Sequence, residues 1–240
     1  MRLFYLNPNS SAHMTESIVA HARAALPDAT IIGHTNHGAP PAIQGPDDGE
    51  AALPGLLAAL PLARREGADA IVIACFDDTG LEALRRLAPC PVLGIGQSAC
   101  ASAALLGLRW SVVTTLQVSV PVIRANIDRA GLGEGCASVR ASGIPVLEVE
   151  RGGPEVLDRL ATEFDQAYRQ DDAQAIVLGC AGMAGLKADL ERRSPLPIFE
   201  GIEAAGRMAG ALIPLVRRRA GQDMTATALR MVACPLPGPE

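Results

Sequence analysis

The run Ala70-Ile71-Val72-Ile73-Ala74 is apolar without interruption, and so is Ala175-Ile176-Val177-Leu178-Gly179. A strand with one wet face alternates apolar and polar residues. A short continuous β-branched run belongs to a strand covered on both faces, as in parallel sheets flanked by helices. Helical stretches separate the short strands along the whole chain. Residues 2–6, 30–34, 70–74 and 91–95 read as strands, with helices over 14–25, 50–66 and 81–87. Pro54 and Pro61 should break or kink the second helix. Further strands fall at 110–114, 175–179 and 196–199, with extended segments over 139–149 around Pro145. Helices at 118–130, 154–169, 186–193 and 202–218 complete the pattern, the first of them ending at Gly131. With 240 residues the chain makes one large α/β domain or two small lobes, each with its own core. Hydrophobic residues are 49% but aromatics only 3%, so Ala, Leu, Val and Ile must fill that core.

The two halves superimpose in pattern. Cys75 and Cys180 each end one of the apolar runs, 105 residues apart. The same offset carries Asn9 onto Thr114, Ser10 onto Thr115 and Ile18 onto Ile123. Each half then reads strand, polar turn, helix, and later strand, Cys, small turn, helix. The expected fold is α/β with two pseudo-symmetric lobes, each a short parallel sheet flanked by helices. Lobe one is 1–96 plus 201–240, and lobe two is 97–200. Ligands of open parallel sheets bind outside the carboxyl ends of the strands. An approximate two-fold axis would therefore set the cysteines and polar turns of both halves around one cleft.

Several functions are disfavoured. A net charge of −5 with 20% charged residues argues against nucleic acid, which needs a basic surface. The runs Arg64-Arg65, Arg85-Arg86, Arg192-Arg193 and Arg217-Arg218-Arg219 sit near helix ends, where dipole complementarity and solvation account for them. No stretch approaches the ~20 apolar residues of a membrane span, and the amino terminus has no secretory pattern. The tail after Arg219 reads as a loose end. None of the six cysteines forms a Cys-x-x-Cys pair and no two histidines lie close to them, so a metal site is unsupported. A reduced, cytoplasmic setting with free thiols is expected. Cys90, Cys100, Cys136 and Cys234 have no partner at the repeat offset and read as structural. An apolar helical surface suits a homo-oligomer.

Two thiols facing across a cleft suit one reaction. Inverting a stereocentre by proton transfer needs a base on one face and an acid on the other. Cysteine serves both roles when backbone N–H groups or helix N-termini tune its pKa. Cys75 leads into Phe76, Asp77, Asp78, Thr79 and Gly80, and Cys180 into Ala181, Gly182 and Met183. Amides of these turns are candidates to stabilise a thiolate or an enolate oxygen. Asn9, Ser10, Ser11, Thr114 and Thr115 are candidate donors to substrate oxygens. An isolated strand-end Cys is ordinarily a small buried hydrophobe, and it is the matched pair that changes the reading. His13 is placed at the surface or a helix start. Asp77 and Asp78 are read first as caps of the helix after Cys75.

Asn7-Pro8-Asn9-Ser10-Ser11 with Met14-Thr15, and Ala74-Cys75-Phe76-Asp77-Asp78-Thr79-Gly80-Leu81, carry a resemblance. Pro91 to Gly96, Ser111 to Thr115 and Leu178 to Met183 extend it across residues 1 to about 216. Together these resemble the aspartate/glutamate/hydantoin racemase superfamily, and within it the hydantoin and allantoin racemases. The resemblance implies two-lobed enzymes needing neither metal nor pyridoxal phosphate. It implies that Cys75 and Cys180 are the acid/base pair, each serving one enantiomer, and that Asn9–Ser11, Phe76, Asp77, Thr114, Thr115 and Ala181–Met183 surround a small-molecule substrate. The amino-acid racemases tend to carry Cys-Asn-Thr and Cys-Thr-His. Here Phe76-Asp77 and Ala181-Gly182 follow the cysteines, which favours a hydantoin ring. Thr79 stands where many hydantoin racemases have Pro.

Other readings stay open at this point. Allantoin, an amino acid, or an arylmalonate or maleate-type acid would be an alternative substrate within the superfamily. Gly94-Ile95-Gly96-Gln97-Ser98-Ala99 has the form of a dinucleotide-binding turn, but no Asp or Glu occurs between Glu82 and Asp128 to hold a ribose. A two-lobed binding protein without catalysis would tolerate loss of either Cys. A hydrolase or decarboxylase using one Cys would tolerate loss of the other.

Overall fold

The computed structural model describes residues 1–216. Cys234, the tail after Arg219 and the end of the expected last helix lie outside the described residues.

Two all-parallel sheets of four strands organise the chain. The first contains β1 (Arg2–Asn7), β2 (Thr30–Thr35), β3 (Ala70–Ile73) and β4 (Val92–Gly94) in the order β2-β1-β3-β4. The second contains β5 (Trp110–Thr114), β6 (Cys136–Ala141), β7 (Ala175–Leu178) and β8 (Ile198–Phe199) in the order β6-β5-β7-β8. The topologies are the same, and the 105-residue offset maps β3 onto β7 residue for residue. All four residues of each are buried, as uninterrupted apolar strands require. In each sheet the strand order reverses between the first and third strands of that half. The carboxyl ends of β1 and β3, and of β5 and β7, are therefore the crevices where a ligand can enter.

Helices cover both faces. α1 (Ala12–Ala25) packs Met14, Ile18 and Ala22 onto the first sheet. Pro61 interrupts the expected 50–66 helix, giving α2 (Pro46–Ala58) and α3 (Leu60–Arg65); Pro54 is accommodated inside α2. α4 (Leu81–Leu87) and α5 (Ile95–Leu105) flank β4, so Ile95 opens a helix rather than closing a strand. A 3-10 turn (Gln117–Ser119) leads into α6 (Val120–Arg129).

The extended reading of 139–149 holds only to Ala141. Pro145 takes the N-cap position of α7 (Val146–Arg151), where its fixed φ and missing N–H cost little, and Val146 and Val149 are buried one turn apart. α8 (Pro154–Asp171) follows. A 3-10 stretch (Ala181–Leu186) precedes the short α9 (Lys187–Glu191), so the expected 186–193 helix begins later and ends earlier. α10 (Gly201–Val216) returns to the first sheet, burying Ile202, Ala205, Ala209 and Ile213 with Leu3 and Val72. Tyr5 Oη donates to the Ile202 carbonyl at 3.0 Å inside this contact. Among the described residues no helix is long and apolar enough to cross a membrane.

Candidate active site

The polar turn after β1 is built on side-chain amides. Asn7 Nδ2 donates to Asn9 Oδ1 (2.9 Å), to the Ser11 carbonyl (3.1 Å) and to Thr15 Oγ1 (3.0 Å). The Ser11 N–H also donates to Asn9 Oδ1 at 3.0 Å. Both interactions fix the Asn9 amide with its NH2 group turned toward Met14 Sδ, 3.1 Å away. A thioether is a weak acceptor, so a ligand oxygen can claim this donor. Ser11 is consumed locally: it is the N-cap of α1, its hydroxyl accepting from Met14 N at 3.2 Å.

The equivalent end of β5 carries Thr114 and Thr115, both buried. Thr114 Oγ1 donates to the Gly179 carbonyl at 2.9 Å, tying the end of β5 to the residue before Cys180.

These turns and the two cysteines line one narrow cavity. Asn9, Met14, Cys75, Phe76 and Asp77 line it from the first half, and Thr114, Thr115, Ser119, Cys180 and Ala181 from the second. Ile43, Ala74, Val146 and Gly179 complete its wall. Of the residues singled out in the sequence, Ser10, Ser11, Gly182 and Met183 do not line it. Met183 is part of the second sheet's core. Met14, Ile43, Ser119 and Val146 had not been singled out. The signal for Ser119 was present, since the 105-residue offset carries Met14 onto it. Ile43 and Val146 come from a long loop and from α7, and no motif marks them.

The two thiols have matching surroundings. Each is partly reachable from the cavity and enclosed by protein elsewhere. Burial pushes Cys180 up to about 12 and raises Cys75 further, so both rest as neutral thiols. An amide two residues on opposes the shift in each case: Asp77 N–H at Cys75 and Gly182 N–H at Cys180. The negative charge of Asp77 acts on both sulfurs and raises both. Asp77 is itself pushed up to about 7 by burial, against one hydrogen bond from Ser119 Oγ at 3.3 Å. Its backbone carbonyl accepts from Asn126 Nδ2 at 2.7 Å. No Lys, Arg or His lines the cavity among the described residues, so its single formal charge is the Asp77 carboxylate.

Asp78 does something else. Its carboxylate accepts from Gly96 N (2.9 Å) and Gln97 N (2.7 Å), capping α5 rather than the helix that follows Cys75. Those two amides are the donors a pyrophosphate would need at the Gly94–Ala99 turn, and they are taken. Both glycines of that turn also have a local cause. A Cβ at Gly94 would collide with the Asp78 carboxylate, and one at Gly96 with the Phe76 carbonyl. Close packing of the 76–78 turn explains the motif without a nucleotide.

His13 stands exposed on α1, and its Nδ1 lies 3.0 Å from Glu150 Oε1 on α7, linking the two halves outside the cavity. The bond to Glu150 raises the His13 pKa. Cys90, Cys100 and Cys136 are buried away from the cavity, each raised by burial. Cys136 Sγ donates to the Ser138 carbonyl at 3.5 Å. Among the described residues no three His, Cys, Asp or Glu side chains converge as a metal-binding group would.

The family model described as Asp/Glu/Hydantoin racemase matches residues 3–209. A hydantoin racemase of Rhizobium meliloti is 40% identical over 214 residues, 89% of each chain. Among solved structures, the allantoin racemase of Klebsiella pneumoniae superimposes with a TM-score of 0.84 at 36% identity, covering 90% of this chain and 88% of that one. The allantoin racemase of Pseudomonas fluorescens superimposes with a TM-score of 0.85 at 33% identity, covering 94% and 100%.

Proposed function

The chain belongs to the Asp/Glu/hydantoin racemase family and is a racemase-type isomerase, and we propose that it inverts C5 of 5-substituted hydantoins by proton transfer between Cys75 and Cys180 without a cofactor. The observation that carries this reading is the placement of two thiols at equivalent strand ends on one narrow cavity whose only charge is a carboxylate. The lobes that present them divide at residues 96 and 200, and a cytoplasmic homo-oligomer is the expected setting.

The resting pair of neutral thiols first gives up one proton to solvent, so that one cysteine enters as thiolate and the other as thiol. The thiolate takes the C5 proton and becomes a thiol, leaving the carbanion delocalised as an enolate onto the adjacent ring carbonyl. The opposite thiol returns a proton to the other face and becomes the thiolate. The roles exchange for the other enantiomer. The enolate oxygen needs only neutral donors, and the Asn9 NH2 group is one. The Asp77 carboxylate accepts a ring N–H, a bond that a hydantoin offers. The substituent at C5 lies against Ile43, Val146, Met14 and Phe76.

The same charge argument disfavours the alternatives that carry a carboxylate. An amino acid, an arylmalonate or a maleate would meet Asp77 with no lining cation to clamp it. Allantoin is the second reading, favoured by the two allantoin racemase structures. The apolar part of the wall suits an apolar 5-substituent better than a ureido group. The deciding experiment follows optical rotation of one enantiomer of an apolar 5-substituted hydantoin, with enantiopure allantoin beside it. Wild type, Cys75→Ala and Cys180→Ala are compared. Rotation that decays with wild type and persists with both variants supports the two-thiol reading, and the faster compound names the substrate. Decay no faster than the spontaneous rate with either compound overturns the hydantoin assignment.

A further inference from the structure

Thr79 has a hydroxyl with no use in the resting protein. The residue is only 7% exposed, and its Oγ1 is buried without a hydrogen-bond partner. Buried hydroxyls are nearly always paired, so an unpaired one calls for a cause. The backbone shows that its position is imposed. Asp78 N–H closes a turn onto the Cys75 carbonyl at 3.0 Å. Asp78 itself sits at φ 48°, the left-handed region that side chains with a Cβ avoid. It is held there because its carboxylate is locked onto Gly96 N and Gln97 N at the start of α5. Gly80 follows at φ 72°, bending the chain again into α4. The outcome is that Thr79 is held in the same tight turn as Cys75, and its hydroxyl favours the charged form of that sulfur. A thiol is a poor acceptor and a thiolate a good one. Oγ1 therefore goes unpaired while Cys75 is protonated and is satisfied when it is not.

We propose that Thr79 is a positioning residue for the Cys75 thiolate: its hydroxyl donates to the sulfur in the charged state and holds it aimed into the cavity. This rests on the reading of Cys75 as one of the acid/base pair. The titratable groups facing this sulfur are Asp77 from the same turn and Cys180 from the opposite sheet, and both oppose its ionisation. Thr79 and the Asp77 N–H work against them. Cys180 has an amide from Gly182 but no hydroxyl in this role, and it feels the charge of Glu150 as well. The two thiols are thus alike in backbone and different in side-chain support.

The test reads the sulfur directly. Alkylation of Cys75 and Cys180 by iodoacetamide is followed by mass spectrometry across pH in wild type, Thr79→Val and Thr79→Ser. Thr79→Val keeps the shape and removes a hydroxyl that has no partner at rest, so its melting temperature should not fall below wild type. Its Cys75 should be alkylated about tenfold more slowly at each pH where the protein stays folded, all of which lie below the midpoint, as expected for loss of a hydrogen bond to a charged group. Cys180 should keep its wild-type profile. Thr79→Ser should restore Cys75, and kcat/KM for an enantiopure hydantoin should fall and recover in parallel. An unchanged Cys75 profile in Thr79→Val, or a serine variant that behaves like valine, overturns the proposal. A Cys75→Ala variant that still racemises overturns the acid/base assignment instead, and the alkylation profile reads the Thr79 contact separately from that result.

Discussion

Replacing Asp77 by Asn should make the protein more stable and less active, with a pH signature that identifies the cause. Asp77 is half-buried, and the desolvation of its carboxylate holds its pKa at about 7 against an ordinary 3.8. The raised value means that the folded state binds this proton more tightly than the unfolded state. The stabilisation that follows is fully present below pH 4 and is lost as pH rises through about 7. Each unit of difference is worth about 1.4 kcal/mol, so an ionised Asp77 costs roughly 4 kcal/mol at pH 8. An amide of the same shape keeps an acceptor for Ser119 Oγ, which lies 3.3 Å from the carboxylate. It has its own, smaller desolvation cost, so a gain of about 2–4 kcal/mol at pH 8 is expected. At pH 4 the carboxyl of the wild type is already neutral and the gain should vanish. Urea unfolding of both proteins at pH 4 and pH 8, with equal slopes, measures the difference. Taking variant minus wild type at each pH removes groups common to both, including Asp171, which Arg140 and Ser138 hold below its usual range despite partial burial. A gain of the same size at both pH values, or none at pH 8, would refute the burial argument. Turnover of a hydantoin by Asp77→Asn should fall at pH 8, because the acceptor for the ring N–H has lost its charge. Stability surrendered for a charge in a cavity is the pattern expected of a functional residue.

Asp78 is more deeply buried than Asp77, with a pKa also raised to about 7, yet its substitution should act in the opposite sense. Asp78→Ala strands the Gly96 and Gln97 amides and releases the strained φ at residue 78, so thermal unfolding should show a loss of about 2–4 kcal/mol and Cys75 should lose its defined position. Cys100 is fully packed among Ala99, Trp110 and Ile123. Cys100→Ala should lose about 1–2 kcal/mol in the same assay and keep full turnover, in contrast to Cys75→Ala and Cys180→Ala.

What the sequence discloses depends on how local its cause is. β3 and β7 are legible because four consecutive buried residues leave four consecutive apolar letters. The repeat is legible because both halves share one strand order, so a single offset aligns strands, cysteines and turns together. That offset reaches as far as Met14 and Ser119, which both line the cavity though only Met14 belongs to a motif. The misreadings have non-local causes. Pro145 within a Val-rich segment has the look of an extended chain, and only the burial of Val146 against the first sheet's core and Val149 against the second's makes a helix there. Asp78 was read as a cap for the helix next to it in sequence, whereas it caps the helix that β4 brings beside it. The Gly-x-Gly pair after β4 is the other half of the same contact. Its glycines answer to the 76–78 turn, a relation between segments twenty residues apart that spacing alone does not reveal.

The unequal support of the two thiols bears on how any variant of this site must be read. The enantiomers of a ligand with one stereocentre have equal free energy, so the equilibrium constant for their exchange is one. The ratio of kcat/KM in the two directions is then fixed at one whatever the protein does. Thr79 beside Cys75 and Glu150 near Cys180 cannot favour one product. If the two thiols exchange the proton as proposed, these groups set which thiol holds it while each enantiomer is bound, and this separates kcat from KM in the two directions by compensating factors. A substitution at Thr79 should therefore lower kcat/KM equally for both hands of the substrate, even though it acts on one sulfur. Its location shows only in the separate constants and in the reactivity of the individual thiols. On the proposed mechanism the near-symmetry of the two sheets supplies two opposed proton carriers, and the side chains that break that symmetry decide which of them ionises more readily.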